Sequence, residues 1–116
     1  MKHSIRLLLA TAAAVIAVAA VPLAAAATTT VNVKAGEMYF KLSTKTLAKP
    51  GRVTFVVKNS GHLVHDFKIA GKVTPKIKPG KSGTLTVTFK KKGSYTYLCT
   101  VPGHAAGGMK GVFKVK

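Results

Sequence analysis

Residues 95–111 read Tyr-Thr-Tyr-Leu-Cys-Thr-Val-Pro-Gly-His-Ala-Ala-Gly-Gly-Met-Lys-Gly. Side chains alternate across a strand, so Cys99 shares a face with Tyr95 and Tyr97, while Met109 has the parity of Phe113 and Val115 beyond it. A thiol and a thioether therefore sit at the two ends of one loop and point the same way as the core, with an imidazole at His104 between them. Fully extended, the five-residue step from Cys99 to His104 would span about 17 Å. Pro102-Gly103 predicts a type II turn, with Pro presetting one φ and Gly supplying the positive one, which folds His104 back toward Cys99. Gly107-Gly108 gives the next reversal the same freedom and returns Met109 to the same point.

Working outward, the sequence from Thr28 alternates apolar and polar residues, rich in β-branched and aromatic types. Strands are expected over 29–34, 37–42, 52–58, 65–70, 83–89, 94–100 and 112–115, with turns at Lys49-Pro50-Gly51, Asn59-Ser60-Gly61, Lys78-Pro79-Gly80 and Lys91-Lys92-Gly93. About seven short strands at this spacing predict an all-β, two-sheet sandwich. In 83–89 the inward set is Leu85, Val87 and Phe89. In 65–70 it is His65, Phe67 and Ile69, opposite Asp66 and Lys68, so a second imidazole lies on the apolar side. His62 forms an H-x-x-H pair with His65 and reads as a surface or near-site residue. Met38 reads as core.

The chain has 116 residues, 19 Lys+Arg, 2 Asp+Glu and one cysteine. Lys2 and Arg6 precede an apolar, Ala-rich stretch from Leu7 to Ala27 that ends in small residues. This is the pattern of a cleaved export signal, expected to be a helix, over residues 1–27. Its length approaches the roughly 20 residues that span a bilayer, so an uncleaved anchor is the alternative. Residues 28–116 form one domain, exported to a periplasmic or extracellular location and expected to be a monomer. A core of this size is marginal, and a single cysteine offers no internal disulfide. A metal would fill that role. Iron–sulfur clusters, attached c-type haem, P-loops and dinucleotide fingerprints are excluded by the cysteine count and the missing motifs.

The donor types choose among metals. Two imidazoles, one thiolate and a weak axial thioether make the blue-copper set. Zinc is second, because its closed structural sites draw a fourth ligand from Cys, His or carboxylate. Calcium and magnesium need oxygen donors, and only Glu37 and Asp66 carry carboxylates.

The run Y-x-Y-x-C-T-x-P-G-H-x4-M, with His65 following Asn59-x-Gly61, resembles the cupredoxins, the plastocyanin and azurin family of small blue copper proteins. The spacing within the loop is similar to that of rusticyanin. The resemblance covers essentially all of 28–116 and implies a Greek-key β-sandwich holding one type 1 copper ion. It places His65, Cys99 and His104 as equatorial ligands and Met109 as the axial one. It also implies one-electron transfer, Cu(I)/Cu(II), through a His104 edge framed by Val101, Pro102, Ala105, Ala106, Gly107 and Gly108. One position departs from the family: the residue after the first ligand is commonly Asn, and here it is Asp66. A carboxylate still accepts hydrogen bonds, for instance from Thr100, but its charge near the thiolate favours the oxidised metal.

Without Lys2 and Arg6 the chain keeps 17 basic residues and a net charge of +15. So large an excess steers acidic partners, with a salt-dependent association. An acidic redox protein or an anionic membrane or envelope surface is the expected partner. Nucleic acid is not, given export, one Arg (Arg52) beyond the signal and no basic-aromatic stripe. With no acid–base pair around the four ligands, the expected function is electron carriage and not enzymatic turnover. The alternative is a copper carrier or buffer delivering the ion to an oxidase.

Overall fold

Alternation of Val, Phe and Thr drives the longest strands, and the computed structural model, which describes residues 27–116, places their apolar sets inward as expected. Nine strands run in chain order: β1 Thr29–Gly36, β2 Tyr39–Leu42, β3 Thr46–Leu47, β4 Gly51–Asn59, β5 Lys68–Ile69, β6 Lys72–Val73, β7 Ser82–Phe89, β8 Gly93–Leu98 and β9 Lys110–Val115. They form a four-stranded sheet in the order β2-β1-β4-β7 and a five-stranded sheet in the order β3-β9-β8-β5-β6. Both sheets are mixed, since β1 pairs parallel with β4 and β3 parallel with β9. The expected signal segment, 1–27, lies almost wholly outside the described residues.

Val31, Val33, Val53, Phe55, Val57, Leu85, Val87 and Phe89 of the first sheet face Tyr97, Phe113 and Val115 of the second, and all are buried. All five phenylalanines join this layer. Phe55 on β4 meets Phe113 on β9 at 5.4 Å and Phe67 at 5.1 Å between ring centroids, and Phe67 stacks on Tyr97 at 5.5 Å. Such pairs add about 0.5–1.5 kcal/mol each beyond the area they bury. Phe67 lies two residues after His65, so the same packing that closes the sandwich also fixes the segment that carries this histidine.

The structure differs from the expected strand set in three places. The count is nine because β3 and β6 are two residues long, too short for alternation to be visible. The expected strand 65–70 contracts to β5. His65 instead forms an isolated antiparallel bridge with Ile77, its N–H donating to the Ile77 carbonyl at 3.1 Å and its carbonyl accepting at 2.7 Å. Asp66 is not on a solvated face: it is 1 % exposed, like its neighbours. Without regular pairing there is no strict alternation, and the carboxylate turns inward to meet the other ligand loop.

Candidate metal centre

The loop from Cys99 to Met109 winds up as its glycines and proline require. The His104 N–H donates to the Val101 carbonyl at 3.0 Å across Pro102-Gly103, and Gly103 has φ of +84°, as a type II turn demands. The Gly107 and Gly108 amides then donate to the carbonyls of Gly103 and Ala105 at 3.0 and 3.1 Å. Two further bonds close the loop: Met109 N–H to the His104 carbonyl and Cys99 N–H to the Met109 carbonyl, each 3.1 Å.

This winding brings three donors together. His65, Cys99 and His104 each offer an atom within 4.8 Å of the others, and all three are buried. Nδ1 of His65 lies 3.1 Å from Nδ1 of His104, and that nitrogen lies 3.6 Å from Sγ of Cys99. Metal bonds of about 2.0–2.1 Å to nitrogen and 2.3 Å to sulfur, opened at trigonal angles, set two nitrogens about 3.5 Å apart and nitrogen and sulfur about 3.8 Å apart. The two sides that meet at His104 are slightly shorter than that, and the third, between His65 and Cys99, lies within 4.8 Å, so the donors need shift only modestly to hold an ion. Met109 is fully buried, with its main chain bonded to both Cys99 and His104. His62 is exposed and contributes only its backbone amide.

The contacts around the donors were only partly foreseen from sequence. Glu37, in the turn between β1 and β2, accepts from the amides of His62 at 2.7 Å and Leu63 at 2.6 Å, and its Oε1 lies 3.3 Å from Nε2 of His65. A proton on Nε2 facing this carboxylate leaves Nδ1 as the lone-pair donor, the arrangement by which outer groups orient ligating histidines. The amide of Leu63 contributes most to holding the Glu37 carboxyl below its ordinary range; desolvation opposes this, and His62 and His65 reinforce it. Gly61 makes the contact possible, since a Cβ there would overlap the Glu37 carboxylate. Met38, expected in the core, is half-buried and packs against both the core and Gly107. The one signal for Glu37 in the sequence is scarcity: it is one of two carboxylates in the chain.

Asp66 ties the two ligand segments. It accepts from the Thr100 N–H at 2.6 Å, from the Thr100 hydroxyl, and from Lys76 Nζ at 2.6 Å, while Lys76 also donates to the Thr100 hydroxyl at 2.8 Å. Burial opposes the charge on Asp66, but Lys76 and Thr100 outweigh it and hold the carboxyl below its usual value. The lysine also offsets the negative charge that the sequence places near the thiolate. Asn59, fully buried, braces the same segment: its Nδ2 donates to the carbonyls of Leu63 at 2.7 Å and Ile77 at 2.9 Å, and its Oδ1 accepts from Gly61 at 2.9 Å. At Cys99, burial pushes the thiol up, and the Asp66 and Val101 amides draw it partly back.

A two-sheet sandwich whose loops gather two imidazole nitrogens and a thiolate sulfur defines the class of small copper domains. The chain matches the cupredoxin-like domain over residues 8–110 and belongs to that family. The copper-resistant cuproprotein CopI of Pseudomonas aeruginosa is 27 % identical over 136 aligned positions, covering 74 % of this chain and 75 % of that protein. A blue copper protein of Pisum sativum is 33 % identical over 78, covering 64 % of this chain and 41 % of the plant protein. Among solved structures, reduced auracyanin from Roseiflexus castenholzii superposes with a TM-score of 0.66 at 27 % identity, over 78 % of this chain and 98 % of that one. Copper is the metal of these relatives, and the donor set fits it.

Proposed function

We propose that this protein is an exported one-electron carrier with His65, Cys99 and His104 as equatorial ligands and Met109 as the axial ligand of a type 1 copper ion. When bound, copper supplies the Cu(I)/Cu(II) couple. The observation that carries the reading is the graded burial of the donors. His65 and Met109 are fully buried and Cys99 is 1 % exposed, while His104 keeps 8 %. A substrate has no approach to such a set, whereas an electron needs only the His104 edge. Val101, Pro102, Ala105 and Ala106 frame that edge with uncharged, at least partly exposed surface, suited to close contact with a redox partner. The Glu37 contact holds one imidazole and the Asp66 tie holds the thiolate loop, so the donors keep their places and little reorganisation accompanies the redox step.

The kinship with CopI favours a second reading, a copper buffer or carrier in copper resistance. Buried, braced ligands weigh against rapid exchange. The two readings part in one experiment: load the chain with Cu(II), record the visible spectrum, cycle it with reductant and oxidant, then challenge the reduced form with a Cu(I) chelator. The carrier of electrons gives an intense thiolate-to-copper band that vanishes and returns, with slow loss of Cu(I). Rapid surrender of Cu(I) supports the copper carrier, and no band at all defeats both.

A further inference from the structure

The outer face of the four-stranded sheet carries a feature the metal centre does not use. Lys34 on β1 sits directly opposite Lys41 on β2 and, on its other side, opposite Lys58 on β4; Lys58 in turn faces Ser82 on β7. Three lysines thus stand in one register row across three adjacent strands. With strands about 4.8 Å apart, the row spans about 10 Å. All three are exposed, and among the described residues none is in a salt bridge. The chain's two carboxylates, Glu37 and Asp66, are both engaged at the metal centre.

Like charges directly opposite one another weaken a sheet. Lysine on an edge strand is commonly explained as protection against edge-to-edge pairing, and that account covers Lys41 on β2. It does not cover Lys34 and Lys58, which lie on the two interior strands of the sheet. The row also lines a groove of about 450 Å³, together with Ser43, Ser60 and Val56. A single phosphate would fill a small part of it. The lysine stems and Val56 give the groove apolar walls between charged heads and serine hydroxyls, which suits a chain bearing both methylenes and carboxylates. Ser60, at the upper rim, precedes the Gly61–Leu63 segment held by Glu37, so the groove runs up to the metal-bearing end of the sandwich.

We propose that this groove binds an acidic segment of a partner protein, its carboxylates paired with the row Lys34, Lys41 and Lys58. The assignment requires no copper chemistry and goes beyond the electron-carrier reading. The test uses the copper-loaded chain, a hexaglutamate peptide as probe, and calorimetry at low ionic strength. The triple variant Lys34→Gln/Lys41→Gln/Lys58→Gln is compared with Lys90→Gln/Lys91→Gln/Lys92→Gln, which removes the same charge at the other end of β7. The row variant is expected to bind about tenfold more weakly or worse, the control to stay within about twofold of the parent. The row variant is also expected to melt higher than the parent, because three opposed charges are gone. Equal weakening in both variants would overturn the proposal in favour of a diffuse cationic field. Tighter binding of inorganic tripolyphosphate than of the peptide would overturn the assignment to a protein segment. An unchanged visible band in both variants separates any such failure from a failure of the metal centre.

Discussion

Asp66→Ala is the substitution that tests how the metal centre is held together. The carboxylate accepts from the Thr100 amide at 2.6 Å and from the Thr100 hydroxyl, and from Lys76 at 2.6 Å. Hydrogen bonds to an ionised group contribute about 1.5–3 kcal/mol each. The Lys76 side chain is 57 % exposed, so that pair adds no more than about 1 kcal/mol. Burial of the carboxylate works against the sum, leaving a net loss of about 2–4 kcal/mol on truncation. A domain of this size is stable by roughly 5–13 kcal/mol and shifts by about 4–8 °C per kcal/mol, so the melting temperature of the metal-free chain should fall by roughly 8–32 °C. Asp66→Asn should cost about 1 kcal/mol, because the amide oxygen still receives the Thr100 N–H and the new NH2 donates to the hydroxyl. Thermal unfolding by circular dichroism at neutral pH, with Lys76→Ala alongside, gives the comparison. If Asp66→Ala costs no more than Lys76→Ala, the Thr100 tie contributes nothing and the reasoning is wrong. The pH dependence has a definite sign. A carboxyl depressed on folding contributes fully above its unfolded value of about 3.9, and the contribution is lost as pH falls through the lower folded value. The gap between the parent and Asp66→Asn should therefore close at low pH.

Glu37→Ala should weaken copper retention about 10–100-fold, the usual consequence of removing the partner of a ligating histidine, whereas Glu37→Gln keeps an acceptor oxygen and should lose much less. Competition with a chelator measures both, and parent-like retention in Glu37→Ala would refute the positioning role. Copper uptake by the metal-free chain should release the Cys99 proton, because burial keeps the thiol protonated and the ligand is the thiolate. Between pH 7 and 8.5, above the usual imidazole range, apparent affinity should rise about tenfold per pH unit, and a flat profile would count against thiolate ligation.

The fold was legible where strands are long enough for alternation to repeat, as in β1, β4 and β7, and the inward set expected for β7, Leu85, Val87 and Phe89, is the buried one. It was not legible at β6, nor in how far the strand expected over 65–70 shortens to β5. The hairpin of β5 and β6 turns through Ala70 at φ +51° and Gly71 at +76°, and alanine carries no signal for a left-handed conformation. The loop candidates stood out because Cys99, His104 and Met109 lie within eleven residues, with Pro102-Gly103 stating how the chain returns, and the structure gathers Cys99 and His104 with His65. Glu37 was not. It meets His65 across 28 residues of sequence, and only the pairing of β1 with β2 and β4 brings the turn that carries it over the ligand loop. Asp66 was foreseen as an acceptor for Thr100 but placed opposite the apolar face with Lys68, whereas it is buried like His65 and Phe67, because parity was applied to a segment that pairs there at a single bridge.

The two carboxylates of the chain explain more together than apart. Each is hydrogen-bonded to the ligand scaffold, Glu37 at the imidazole of His65 and Asp66 at the residue following Cys99. Asp66 is also paired with Lys76, whereas Glu37 is held by two backbone amides and the His65 ring. Apart from Lys76, the lysines described are in no ion pair, and three of them line up in one row on the outer sheet face. Site rigidity and surface charge thus rest on different residues. Glutamine at Lys34, Lys41 and Lys58 should alter association and its salt dependence while leaving the metal centre's spectrum alone, and changes at Glu37 or Asp66 should do the reverse.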